Sequence, residues 1–388
     1  MRGGRAGIGL AGHGSGKRRT SGMEGFVQRR NLVAAGLAAA PALATPALAQ
    51  ALPELRWRLT SSFTRPLDIT WGTSEYICRA VAEITDGRFR IQPFAAGELV
   101  PGLQAMDAVQ SGAVEMAHTG GLFFTGKNAA LAFSTTVPFM LNVRQQHAWF
   151  FQGGGNEMLN RVYRDFNIHA LPCGNTGNQM GGWFRREIRS VEDLRGLKFR
   201  VAGLAGNVMS KLGVIPQQLA PGDIYPALER GTIDGVEYIG PYDDAKLGFN
   251  KVARYYYFPG WGEGGAVFHL YVNLERWNEL PRAYKAALET ACTAATTWML
   301  SQYDWRNVEA MYGLVAQGVQ LRQFPNEVID ALYRATQEML AEQAAANPAF
   351  KELLESQVAF RDRSYSYHQV ADYAFDAMML RLRRAAPR

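Results

Sequence analysis

Hydrophobic and polar positions alternate from Leu55 to Ser61, the period-two pattern of a strand. Residues 69–84 carry a helical pattern that stops at Asp86-Gly87. Alternation returns from Phe89 to Phe94, and a helix from Gly102 to Gln110 then leads into a strand from Ala113 to His118. Strands separated by helices predict an α/β architecture with largely parallel sheets. Farther along, a helical stretch runs from Arg282 to Val315, with Pro281 placed for its first turn. Its rise of 1.5 Å per residue gives a reach of about 50 Å, more than one small lobe, so it is expected to brace two. Pro325-Asn326-Glu327 starts another helix that runs toward Ala345. The last stretch, about 366–384, is amphipathic, with Val370, Tyr373, Ala374, Ala377, Met378, Leu380 and Leu382 at helical spacing. That apolar face must dock, on its own chain or on another.

One pattern recurs. Ala108-Val109-Gln110-Ser111-Gly112-Ala113-Val114-Glu115 is echoed by Ala227-Leu228-Glu229-Arg230-Gly231-Thr232-Ile233-Asp234. Each reads as a helix ended by a left-handed glycine and followed by a strand, one ending near His118 and the other near Glu237. Ligands in open α/β sheets sit beyond strand C-termini. The echo admits two readings: chance recurrence of a common unit, or two similar lobes facing one cleft.

Charge changes the picture only at the N-terminus. The 388 residues hold 41 Lys+Arg and 35 Asp+Glu, a formal +6 that would suit nucleic acid or an anionic membrane. Residues 1–50 hold seven of the basic residues and one acid, which leaves 34 of each sign beyond them. The remainder is formally neutral, so nucleic acid is not the expected partner. Arg29-Arg30 precedes an Ala/Leu-rich run and Ala47-Leu48-Ala49, an export signal with a small-residue cleavage site. The paired arginines suggest the twin-arginine route, with Met1 or Met23 as the start. The chain has three cysteines, Cys78, Cys173 and Cys292, without CxxC spacing, and they are expected to be buried thiols.

Catalytic motifs are missing: there is no HExxH, no Gly-x-Ser-x-Gly and no Walker loop. The six histidines are scattered, none paired at ligand spacing on one helix. That shifts weight from an enzyme toward a binding protein. Gly174 to Arg185 packs amides and glycines around Trp183, and glycine lets backbone approach a ligand closely. Arg200 lies within a short strand; turned into a cleft, its guanidinium would fork onto a carboxylate. Glu237 precedes Tyr238-Ile239-Gly240-Pro241, and Glu263 sits in the glycine-rich turn Trp261-Gly262-Glu263-Gly264-Gly265. Hard cations want oxygen ligands, which Gln179, Glu237, Glu263 and backbone carbonyls around Tyr238 supply.

The segments Gly177-Asn178-Gln179-Met180-Gly181-Gly182-Trp183-Phe184-Arg185, Asp193 to Arg200, Asp234 to Asp244 and Val137-Pro138-Phe139 carry a family resemblance. From about Leu55 to Arg384 the chain resembles the solute-binding proteins of tripartite ATP-independent periplasmic (TRAP) transporters, most closely the branch that binds α-keto acids. The resemblance implies a two-lobed, type II-like periplasmic-binding-protein fold with hinge strands, a lobe-spanning helix and a C-terminal dimerisation helix. The expected division is 1–50 as extension and signal; 52–177 with 266–305 as one lobe; 178–265 with 306–364 as the other; and 365–388 as the dimerisation helix. It implies that Arg200 pairs with the substrate carboxylate. Gln179 and Glu237 are implied as side-chain ligands of a sodium or calcium ion that touches the substrate, with the Tyr238 carbonyl as a further ligand. Tyr238 stands where the branch usually has Trp. Trp183, Phe123, Phe124 and Phe268 are expected at the apolar end. The implied role is non-enzymatic, without an organic cofactor: periplasmic capture of a small 2-oxo or 2-hydroxy monocarboxylate and delivery to membrane permease subunits, as a homodimer. Two alternatives stay open, a sugar acid, dicarboxylate or amino acid bound without metal, and an exported enzyme acting on small organic acids.

Overall fold

The computed structural model describes residues 52–385; the export signal and its arginine pair lie outside them. Eleven strands follow in chain order: β1 (Leu55–Ser61), β2 (Phe89–Phe94), β3 (Met116–Thr119), β4 (Ile168–Asn175), β5 (Gly182–Phe184), β6 (Lys198–Arg200), β7 (Ile215–Gln217), β8 (Gly235–Val236), β9 (Tyr255–Phe258), β10 (Val267–Asn273) and β11 (Gln320–Gln323). Twelve helices accompany them. They are α1 (Thr70–Ile84), α2 (Ala105–Gln110), α3 (Val143–Gln152), α4 (Gly155–Arg164), α5 (Leu204–Lys211), α6 (Pro221–Glu229), α7 (Pro241–Leu247), α8 (Leu274–Glu279), α9 (Arg282–Ala316), α10 (Asn326–Ala346), α11 (Pro348–His368) and α12 (Asp372–Ala385).

The strands form two sheets, as expected of a two-lobed α/β fold. The first has the order β2-β1-β3-β10-β4 and the second β11-β9-β5-β8-β6-β7. Most neighbours are parallel. In the first sheet β10 runs against both β3 and β4, and in the second β5 runs against both β8 and β9. Those reversed strands follow from how the chain crosses. It passes from β4 to β5 through residues 176–181 and returns from β9 to β10 through residues 259–266. A third crossing is α9, 35 residues long, which packs on β4 and α1 along one part and on α7 along another. Its hydrophobic positions serve both lobes: Leu288, Ala291 and Cys292 join the core under the first sheet, whereas Met299, Tyr303 and Leu314 join Ile224, Val236 and Tyr256.

The internal echo is structural. α2 leads to β3 and α6 to β8, and Gly112 and Gly231 between them have φ +75° and +72°. Only glycine adopts that left-handed turn without steric cost. The three cysteines are buried and free. The terminal helix differs from the expectation of one element over 366–384. α11 continues through His368, and α12 begins at Asp372. A hydrogen bond from His368 Nδ1 to Asp372, which also pairs with Arg144, fixes that joint.

Candidate functional site

The C-terminal ends of strands from both sheets converge on one small cavity. Its wall contains Phe63, Leu122, Phe123 and Phe268 from the first lobe, Arg200, Glu237, Tyr238 and Ile239 from the second, and Gln179 and Glu263 from the two crossings.

Arg200 ends β6, and Glu237 and Tyr238 follow β8, which pairs with β6 in parallel. The Glu237 N–H donates to the Arg200 carbonyl at 2.9 Å, which fixes their register. Arg200 is 2% exposed; its Nη1 donates to the Glu237 carbonyl at 2.5 Å and its Nε to the Leu219 carbonyl at 3.4 Å. The guanidinium carbon lies 5.3 Å from the centre of the Tyr238 ring, within cation–π range. The nearest carboxylate contact, Nη1 to Glu237 Oε2, is 3.8 Å. Arg200 is therefore held mainly by neutral carbonyls, and its charge remains available to an anion.

Gln179 and Glu263 are brought together because the crossings touch. The Gln179 N–H donates to the Glu263 carbonyl at 3.2 Å, and Gly260 N–H donates to the Gln179 carbonyl at 2.9 Å. A Cβ on Gly260 would stand 2.5 Å from that carbonyl oxygen, so only glycine permits the approach. The Phe139 N–H holds the second crossing through the Trp261 carbonyl at 3.0 Å, and the two rings stack at 5.6 Å. This gives the Val137-Pro138-Phe139 segment a structural task beside Glu263.

The oxygens at this junction lack partners. Gln179 Nε2 donates to Thr176 Oγ1 at 3.0 Å, which leaves the buried Gln179 Oε1 without one. Glu237 Oε1 is likewise buried and unpartnered. Burial, then the charge of Glu263, pushes the Glu237 carboxyl well above the usual range, with Arg200 opposing. Burial pushes Glu263 up to about 8, again against Arg200. Two buried acids thus share one guanidinium, and either protons or a cation must supply the missing positive charge. Carboxylate and amide oxygens suit a hard cation. Among the described residues, no group of three or more His, Cys, Asp or Glu side chains forms a metal site. A cation here would need neutral oxygens and oxygens of the bound molecule to complete its shell.

Trp183 requires a correction. It is fully buried and does not line the cavity; its indole N–H donates to Asp244 Oδ2 at 2.8 Å and its ring stacks on Tyr256 at 3.9 Å. Phe124 is also absent from the wall. Phe63, Leu122 and Ile239 line it without having been singled out in the sequence. The first was findable, because it lies two residues beyond the end of β1, where such sheets place ligands. On the far side of the acid pair a small apolar cavity includes Phe184, Phe199, Met209 and Phe324. It offers no cationic side chain, so an anion's anchor belongs to the Arg200 cavity.

Residues 60–347 match DctP, described as bacterial extracellular solute-binding protein, family 7. The monocarboxylate 2-oxoacid-binding periplasmic protein of a Nostoc species is 47% identical over 332 residues, covering 86% of this chain and 91% of that protein. A TRAP transporter solute-binding protein from Bordetella bronchiseptica, a mixed-occupancy dimer with copurified calcium and picolinate, superposes with a TM-score of 0.85. It is 48% identical, and the match covers 86% of this chain and all of that one. A TRAP periplasmic solute-binding protein from Pseudoalteromonas atlantica, with bound sodium and pyruvate, superposes with a TM-score of 0.81 at 37% identity. That match covers 83% of this chain and 98% of the other.

Proposed function

The chain belongs to the DctP family of bacterial extracellular solute-binding proteins, and on that premise we propose that it captures a small 2-oxo or 2-hydroxy monocarboxylate together with a calcium or sodium ion. The observation that carries this reading is the buried meeting of Arg200 with the unpartnered oxygens of Gln179 and Glu237 beside Glu263. Arg200 takes the carboxylate as a fork, a geometry lysine cannot match. Gln179, Glu237, Glu263 and the Tyr238 carbonyl hold the cation. When bound, the ion supplies positive charge to the ligand's carboxylate and 2-oxygen. Phe63, Leu122, Phe123 and Phe268 exclude water, which strengthens every charge interaction inside.

With both acids ionised, a metal-free dicarboxylate or sugar acid beside one guanidinium leaves negative charge unmatched, which a cation relieves. The cavity wall contains no Ser, Cys or His, the commonest nucleophiles and bases, which favours the binding reading over the enzyme reading.

The protein is exported to the periplasm by the twin-arginine route and delivers its cargo to TRAP permease subunits. Two copies associate through α12, whose Tyr373, Phe375, Leu380 and Leu382 are exposed apolar side chains. No helix among the described residues is long and apolar enough to cross a membrane.

Isothermal titration with pyruvate tests the core. Binding is expected in calcium or sodium and lost after chelation and sodium removal. Undiminished affinity without either ion overturns the cation role, and no binding of any 2-oxo acid overturns the ligand assignment.

A further inference from the structure

Five residues after Phe63 in the first lobe's wall comes Asp68, in the segment between β1 and α1. Four and eight residues after Tyr238 in the second lobe's wall come Tyr242 and Lys246, on α7. These side chains meet. Asp68 Oδ1 accepts from Lys246 Nζ at 2.5 Å, and Oδ2 accepts from Tyr242 Oη at 3.0 Å and from Arg306 Nη1 at 2.9 Å. Lys246 Nζ also lies 3.4 Å from the Pro66 carbonyl. The Tyr242 ring carries Lys246 at 4.6 Å and Arg306 at 5.1 Å, and its hydroxyl accepts from Arg306. Arg306 belongs to α9, the helix that packs on both lobes. One carboxylate thus gathers two cations and a hydroxyl from two helices, and no wall residue of the ligand cavity takes part.

We propose that Asp68 is a positioning residue for ligand capture, the centre of a clasp with Tyr242, Lys246 and Arg306 that holds the two lobes closed. The inference rests on the capture role proposed above. Asp68 is covalently continuous with the Phe63 wall and α7 with the Glu237-Tyr238 wall. Separation of the lobes therefore pulls one carboxylate away from Lys246 and Tyr242, and closure restores both bonds. The groups are partly open to water, with side-chain exposures of 31–43%. That places the clasp among interactions that salt weakens, and its strength comes from being a network rather than a lone surface pair.

The test compares wild type with Asp68→Asn, Lys246→Met and Asp68→Glu, following pyruvate with calcium by stopped-flow tryptophan fluorescence. The Asn and Met variants are expected to release pyruvate about fivefold faster with little change in association, a difference that shrinks at roughly 0.5 M salt. Asp68→Glu, which keeps the charge, should recover most of the wild-type rate. Ligand-free small-angle scattering should show a larger radius of gyration for Asp68→Asn than for wild type. Equal release rates and equal radii would mean a static staple at the hinge and overturn the clasp. A wild type that binds no pyruvate defeats the ligand assignment instead, and the scattering comparison then decides the clasp alone.

Discussion

Arg200 is buried among carbonyl acceptors with no carboxylate closer than 3.8 Å, so the strength of anion binding depends on that one guanidinium. Arg200→Ala should weaken pyruvate by at least about 3 kcal/mol, the scale for removing one partner of a buried charge pair, and Arg200→Lys should recover only part; titration calorimetry reads both. His269 is buried with neither ring nitrogen partnered, and burial lowers its pKa to about 3. The folded state keeps it neutral, whereas the unfolded chain protonates near 6.5. Its contribution is therefore intact above about pH 6.5 and declines as pH falls toward 3, at about 1.4 kcal/mol per pH unit. His269→Leu should flatten the acid limb by about that slope in urea melts between pH 6 and 4, without loss of stability at pH 7. Arg200, Gln179, Glu237, Tyr238 and Glu263, which line one cavity, were candidates in the sequence because charged and amide groups stood among glycines and strands and because the family resemblance pointed to them. The place of Trp183 outside the wall was not legible: successive residues of a strand point to opposite faces, and local sequence does not say which face meets the cavity.

At the scale of elements, the strongly periodic segments were the legible ones. β1, β2, α1, α9 and α10 lie within a residue or two of the pattern, and the expected strand from Ala113 starts later, at Met116. The short strands β5 to β8 carry two or three residues each, too few for a period to register, and it is the sheet that defines them. The break between α11 and α12 was also invisible, because an amphipathic pattern survives a turn of three residues. α12 supplies the element-scale prediction. Its apolar side chains are exposed: Tyr373 is 72% accessible and Phe375 58%. Ending the chain after Ala371 should convert a dimer to a monomer by light scattering while circular dichroism and pyruvate binding persist. A dimer that survives the truncation would place the interface elsewhere.

For the whole molecule, ligand and cation are expected to act together, since neither the two acids nor the single arginine is balanced alone. Pyruvate and calcium added jointly at about 100 times the dissociation constant should stabilise the fold by about 2.7 kcal/mol, and either one alone by clearly less; differential scanning fluorimetry distinguishes these. The sequence by itself determined the α/β class, the repeated helix–glycine–strand unit, the long brace and the chemistry of the side chains proposed to bind anion and cation. These rest on local periodicity, steric freedom of glycine and side-chain chemistry, all written in short stretches of chain. The tertiary structure alone decided that Gln179 and Glu263, on separate crossings, touch, that Phe63 closes the wall, that Trp183 stays out of it, and that Asp68 reaches α7. Those facts depend on how two sheets are threaded by three crossings, and contacts between residues so far apart in the chain leave no mark on the pattern of either segment.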